Sequence, residues 1–227
     1  MLSTPEWKTI PWLDISKDMK DVLVDVLVDM PGLVQQFDSM QLCADTSRQD
    51  ALRLELVEKC WDYDRQLLHW LTLIRQAVIL STGNNNSAAQ HDSEDVVTRV
   101  AQAHGMTLFW TTSLVLYSIL HMASAPSAAD LPGRADPAHH GRMLAEALPV
   151  LLQPSAGLYG QQSAALPLEV ALQYVRCMGS SVPAGSEVLL EKLRGLREDM
   201  AEGLKRMVGA GRISSPASNT TTTRDMG

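Results

Sequence analysis

Asp18, Asp21, Asp25 and Asp29 recur at three- or four-residue spacing in "DMKDVLVDVLVDM", where carboxylates on one side of a helix could ligate a divalent cation. All-helical enzymes that ionise prenyl diphosphates hold magnesium with a D-D-x-x-D cluster. Here apolar residues separate single aspartates, so no two adjacent carboxylates face a diphosphate. The row reads instead as a solvated acidic face, since like charges at this spacing cost a helix only about 0.2–0.5 kcal/mol. The histidines include one close pair, His139-His140, in the Pro/Ala stretch "ASAPSAADLPGRADPAHH". Read as a loop, that stretch points the two rings in different directions rather than at one metal ion. Cys43, Cys60 and Cys177 lie far apart with no C-x-x-C, so neither a disulfide framework nor a thiolate metal site is encoded. H-E-x-x-H, the phosphate-binding G-x-x-x-x-G-K-[ST] and the G-x-S-x-G nucleophile elbow do not occur. The remaining candidates are aromatic: Trp61, Trp70, Trp110 and Tyr117 could line an apolar ligand pocket between helices. Set against this is the plainer role of such residues in cores and interfaces. No catalytic residue, metal ion or cofactor is expected.

The elements that must position these residues read as helices throughout. Met19, Val22, Leu23, Val26, Leu27 and Met30 form one helical stripe, which Pro31-Gly32 ends, with Pro31 then in the first turn of a short second helix. From Ser47 to Leu80, Leu52, Leu56, Cys60, Tyr63, Leu67, Trp70, Ile74 and Val78 recur at steps of four or three. That spacing predicts one long helix, or two nearly collinear ones, spanning about 50 Å as a spine for the others. A polar loop, "STGNNNSAAQHD", follows, and Asp92, Glu94 and Asp95 mark the next start. The stretch Gly105–Ala125, "GMTLFWTTSLVLYSILHMASA", is free of charge and long enough to cross a bilayer. Its Thr107, Thr111, Thr112, Ser113, Ser118 and His121, and the lack of Lys or Arg before Arg134, favour a central helix enclosed by neighbours. Thr107, Thr111 and Ser118 share a face suited to close helix packing.

Further on, Pro149 must kink or stop the helix "GRMLAEALPVLL". An irregular Gly-containing connection is expected from Gln153, then a helix with Pro167 in its first turn and Leu168, Ala171, Leu172 and Val175 inward. The last helix starts at Ser186 and directs Leu189, Leu193, Leu196, Met200, Leu204 and Met207 inward. No strand is predicted. The chain is therefore all-α, a single irregular multi-helix bundle over residues 1–208 with a long central helix and a buried apolar helix. Residues 209–227, "GAGRISSPASNTTTTRDMG", form a low-complexity tail expected to be disordered.

Composition narrows the partners. Hydrophobic residues make up 45% of the 227 and charged residues 20%, so the chain can bury a core. A net charge of -7 with no clustered basic surface opposes direct nucleic-acid binding. Sparse cysteine fits a reducing intracellular compartment, and the opening "MLSTPEWKTIPWLD" lacks the basic and apolar regions of a secretory signal.

The segment "PEWKTIPWLDISKDMKDVLVDVLVDMPGLVQQFD", with its W-x-x-x-P-W before an amphipathic helix ending at a proline, resembles fungal zinc-binuclear-cluster transcription factors. Three further segments follow in family order: "CWDYDRQLLHWL", "LFWTTSLVLYSIL" and "GLYGQQSAALPLEVALQYV", so the likeness runs from about Glu6 to Met207. The resemblance implies the all-helical regulatory region C-terminal to the DNA-binding module of such factors. It implies a non-enzymatic role through protein contacts in the nucleus or cytoplasm, with a complete zinc-cluster factor or a second copy as partner. The six-cysteine cluster that binds two zinc ions in the family is not in this sequence, so no zinc ligand or DNA-contacting residue carries over. Two other readings remain open: a helical module that binds a hydrophobic small molecule, and a membrane-attached helical protein.

Overall fold

Residues 105–120 are buried or half-buried on every side, and the fold follows from enclosing them. The computed structural model describes residues 5–84, 92–125, 127–178 and 186–211. Among these the regular structure is helical, with no strand: α1 (Pro5–Thr9), α2 (Met19–Leu27), α3 (Met30–Gln41), α4 (Thr46–Asn84), α5 (Asp92–Ser124), α6 (Pro137–Leu151), α7 (Gly157–Met178) and α8 (Ser186–Gly211). Short 3-10 turns follow α1 at Ile10–Trp12, lie between α5 and α6 at Ser127–Asp130 and Gly133–Ala135, and precede α7 at Pro154–Ala156.

Helix starts are fixed by aspartates. The Asp18 carboxylate accepts from the Asp21 amide at 2.8 Å while the Asp21 carboxylate accepts from the Asp18 amide at 3.2 Å, a reciprocal cap on α2. Asp45 accepts from the amides of Ser47 and Arg48 at the head of α4. Asp136 caps α6 through the Ala138 amide, with Pro137 in the first turn.

The cap at Asp136 corrects one expectation. Asp-Pro here opens a helix, so His139 and His140 lie on the first turns of α6 and not in a loop. A second correction concerns α7. Its helix starts at Gly157, which turns the chain with φ +56°, and runs through Pro167, which sits mid-helix rather than in the first turn. Gly160 permits this early start, because the carbonyl oxygen of Leu151 lies 2.1 Å from where a Cβ would stand. Pro149 falls in the last turn of α6, two residues before its end, as expected of a helix stop.

Two hydrophobic clusters flank α5. The first joins Leu23 and Val26 of α2, Leu33 and Met40 of α3, and Leu56, Leu67 and Trp70 of α4 to Leu108, Phe109, Leu116 and Leu120 of α5. The second joins Val100 and Leu114 of α5 to Leu144 and Leu148 of α6, Leu168 and Leu172 of α7, and Leu193 of α8. Trp110 touches both. The spacing-derived stripes of α2 and α7 and the α4 seam through Ile74 are buried or half-buried as expected, while Val78 lies outside the described side chains. The centre belongs to α5, and the 39-residue α4 packs along one side of it.

Segment Val97–Ser124 is long and apolar enough to cross a membrane by length and composition, and two thirds of its most apolar window is buried within the bundle. Four of its hydroxyls bond carbonyls of their own helix: Thr107 donates to the His104 carbonyl, Thr111 to Thr107, Thr112 to Leu108 and Ser118 to Leu114. On α8 only part of the expected stripe is inward. Leu193 is fully buried and Leu189, Leu196 and Met200 are half-buried, whereas Leu204 is 39% exposed. Met207 lies outside the described side chains. Helix α8 continues to Gly211, past the residue 209 where the sequence suggested the tail begins, and the rest of that tail lies outside the described residues.

Candidate functional site

Three of the four aromatic candidates, Trp61, Trp110 and Tyr117, surround a polar cluster that the sequence did not single out. Its centre is Asp64 on α4, only 2% exposed although charged. The Tyr117 hydroxyl on α5 donates to Asp64 Oδ1 at 2.6 Å. Arg134, in the turn before α6, donates from Nη2 to Oδ2 at 3.0 Å and from Nε to Oδ1 at 3.3 Å. The same guanidinium lies 5.7 Å from the centre of the Trp61 ring, within cation–π range. His140 stacks on Tyr117 with ring centres 4.7 Å apart, and its Nε2 bonds the Arg134 carbonyl at 2.7 Å.

An N–H on Nε2 is needed to donate to that carbonyl, which leaves Nδ1 as the bare acceptor. Buried Nδ1 has no hydrogen-bond partner among the described residues, and neither does buried Ser113 Oγ. Trp110 closes the cluster, its ring centre 5.5 Å from His140 and 6.0 Å from His139. Trp70 stands apart. Its indole N–H donates to the Met19 carbonyl at 2.5 Å, and its ring stacks on Phe109, which meets Trp110 edge-on.

The electrostatics follow from burial. Burial pushes the Tyr117 phenol up, and its bond to the Asp64 carboxylate pushes it further. The Arg134 guanidinium is held charged by its hydrogen bond to Asp64. Burial lowers His140, against the opposing effect of its bond to the Arg134 carbonyl. A phenol held protonated, a carboxylate engaged by two donors and a neutral imidazole form a stitch between α4, α5 and the turn before α6.

The aspartate row of α2 resolves into distinct tasks. Asp18 and Asp21 cap the helix, and Asp25 pairs with Lys17. Asp29 is no solvated carboxylate: it pairs with Lys8 at 2.5 Å and accepts the Tyr63 hydroxyl at 2.9 Å. Among the described residues no group of three or more His, Cys, Asp or Glu side chains is placed to hold a metal ion. Cys43, Cys60 and Cys177 are unpaired, and burial pushes the Cys60 thiol up to about 12.

The more apolar of the two largest described clefts lies elsewhere. A half-open groove of about 520 Å³ runs between α3, α5 and α7, with Phe37, Val115, Ile119 and Val170 on its walls. A cleft of about 550 Å³ between α6, α7 and α8 has more polar walls, including Gln153, Gln161 and Asp199. None of the four aromatic candidates lines either space. The Asp64 cluster left a trace in the sequence, since an acid between the seam positions Cys60 and Leu67 must find a partner or stay wet. Arg134, alone in "DLPGRADP", carried no periodicity to mark it.

Comparison of the chain with protein-family models, with curated proteins and with solved structures finds no significant match.

Proposed function

We propose that this chain is a regulatory domain that works through protein contacts, in the manner of the helical region of zinc-cluster transcription factors, and does not itself bind nucleic acid. What supports the reading is where the resembling segments lie. Residues 60–71 of α4 face residues 108–120 of α5 through the Tyr117–Asp64 bond and the Trp70–Phe109 stack. Residues 157–175 of α7 pack on the other side of α5. The W-x-x-x-P-W segment is tied down where Lys8 meets Asp29, beside Tyr63. Buried members of three of the four segments, such as Leu67, Leu116 and Leu172, pack around α5, while Trp7 and Leu158 of the resembling segments stay about half exposed.

A net charge of -7 gives no electrostatic help in approaching a polyanion, so any effect on a gene would run through a partner. The expected partners are a complete zinc-cluster factor or a second copy, in the nucleus or the cytoplasm. Tagged protein purified from the cells that express it, with its partners identified by mass spectrometry, tests this. Reproducible recovery of a zinc-cluster factor supports the reading. Absence of any such factor, together with a monomer by analytical ultracentrifugation, overturns it.

A further inference from the structure

We infer that the groove between α3, α5 and α7 binds one small, mainly apolar molecule whose polar end is uncharged or cationic. The groove opens along the junction of the two hydrophobic clusters, where α3 from one and α7 from the other approach α5 without meeting over it. Its walls are Val34 and Phe37 of α3, Val115, Ile119 and Met122 of α5, and Val170 of α7. Val34 and Met122 remain 41% and 47% exposed, which costs free energy that an apolar occupant would recover. A volume of about 520 Å³ lies within the range of small-molecule sites, about 300–1,000 Å³.

Charge narrows the ligand. Among the described lining residues Asp38 is the one carboxylate and no lysine or arginine is present, the other polar side chains being Ser118, His121, Gln173, Tyr174 and Cys177. A carboxylate or phosphate head would meet Asp38 with no cation to offset it, whereas an amine or a hydroxyl would meet an acceptor. Extent argues for a small molecule over a protein segment. From Leu114 to Met122 the α5 floor covers about two helical turns, or about 12 Å. A stable protein interface needs about 800 Å² on each partner, well beyond a patch of that length. This inference is separate from the partner-contact reading, since dye binding and partner recovery succeed or fail independently.

The test uses the full chain and N-phenyl-1-naphthylamine, an uncharged apolar dye that brightens out of water, followed by competition with dodecylamine and dodecanoate below their micelle concentrations. Expected is saturable one-to-one binding, with dodecylamine displacing the dye at least tenfold more effectively than dodecanoate. Asp38→Asn should keep the dye and narrow that preference to less than threefold. Met122→Lys places a cation at an exposed wall position, and should weaken dye binding at least tenfold with the thermal midpoint unchanged. Val34→Glu, on the facing wall, does the same and serves if the lysine variant does not fold. Non-saturable binding, equal binding by both wall variants, or a preference for dodecanoate would overturn the inference. So would a concentration-dependent dimer that Met122→Lys abolishes, which would assign the groove to a second copy of the chain.

Discussion

On the α4 side of α5, an apolar cluster is crossed by buried and half-buried polar bonds: Tyr117 and Arg134 share Asp64, Lys8 and Tyr63 share Asp29, and the Trp70 indole reaches the Met19 carbonyl. On the α6–α7 side, the His104–Tyr159 bond apart, leucines pack with small residues set between them. Gly141 sits under the Tyr174 ring, Gly160 abuts the Leu151 carbonyl, and Ala145, Ala164 and Ala171 are buried between leucines. Ion pairs on that side, such as Arg197 with Glu169, lie half-exposed and contribute little. Directional bonds fix the rotation and register of α4 against α5, because an aspartate one position away would miss its donors. Small residues fix how closely helices approach, because any added atom pushes them apart. The two halves should therefore fail in different ways.

The largest effect is expected where distance leaves no freedom. Gly160→Ala sets a Cβ 2.1 Å from a backbone oxygen that cannot rotate away. The helix gains about 1 kcal/mol of propensity from alanine, yet the overlap should cost at least about 3 kcal/mol, read from urea unfolding monitored by circular dichroism. If the variant is as stable as the parent, close approach does not hold α6 and α7 together.

Removing a stitch should cost less. Asp64→Ala leaves the buried Tyr117 hydroxyl unpaired and should destabilise by about 2 kcal/mol. Arg134→Ala removes a guanidinium whose side chain is 46% exposed, so water replaces much of what is lost and about 1 kcal/mol or less is expected. The ratio tests the polar half directly: equal losses would mean that the ion pair, and not the Tyr117–Asp64 bond, carries the contact.

How much of this was legible in the sequence follows the same division. Helices with long apolar periodicity could be read, since burying a stripe leaves a repeating mark: Leu56, Cys60, Leu67 and Trp70 on α4, and Leu168 and Leu172 on α7. The central place of α5 was legible because apolar residues on all sides require neighbours on all sides. Asp-Pro before His139 and the glycines before Pro167 were misread as loop. Proline and glycine favour turns locally, and only tertiary contact shows that here they start α6 and allow α7 to begin early. Three of the four aromatic candidates, Trp61, Trp110 and Tyr117, came together around Asp64, with Trp110 and Tyr117 seven residues apart on one face of α5, but their partner Arg134 arrives from an aperiodic turn. The groove was the least legible feature, being a gap between α3 and α7, helices more than a hundred residues apart in the chain.

Acid probes both halves at once, with the smallest expected effect. His140 belongs to the stitched region and His104, bonded through Nδ1 to the Tyr159 hydroxyl at 2.5 Å, joins α5 to α7. Burial lowers both below the ordinary histidine value of about 6.5, with Lys20 adding to the shift at His104. The unfolded chain then takes up protons more readily than the folded one. The contribution to stability is full above about pH 6.5 and is lost as pH falls from there towards the lowered folded values. Urea midpoints should therefore fall between pH 7.5 and 5.5. His140→Phe keeps a ring against Tyr117 but removes the titrating nitrogen, so it should be less stable at pH 7.5 and show a flatter decline. His104→Phe should flatten the decline to a similar degree if both imidazoles stay neutral in the folded chain. A decline that neither substitution changes would assign acid sensitivity to the carboxylates, which both halves carry, Asp64 in one and Asp136 in the other.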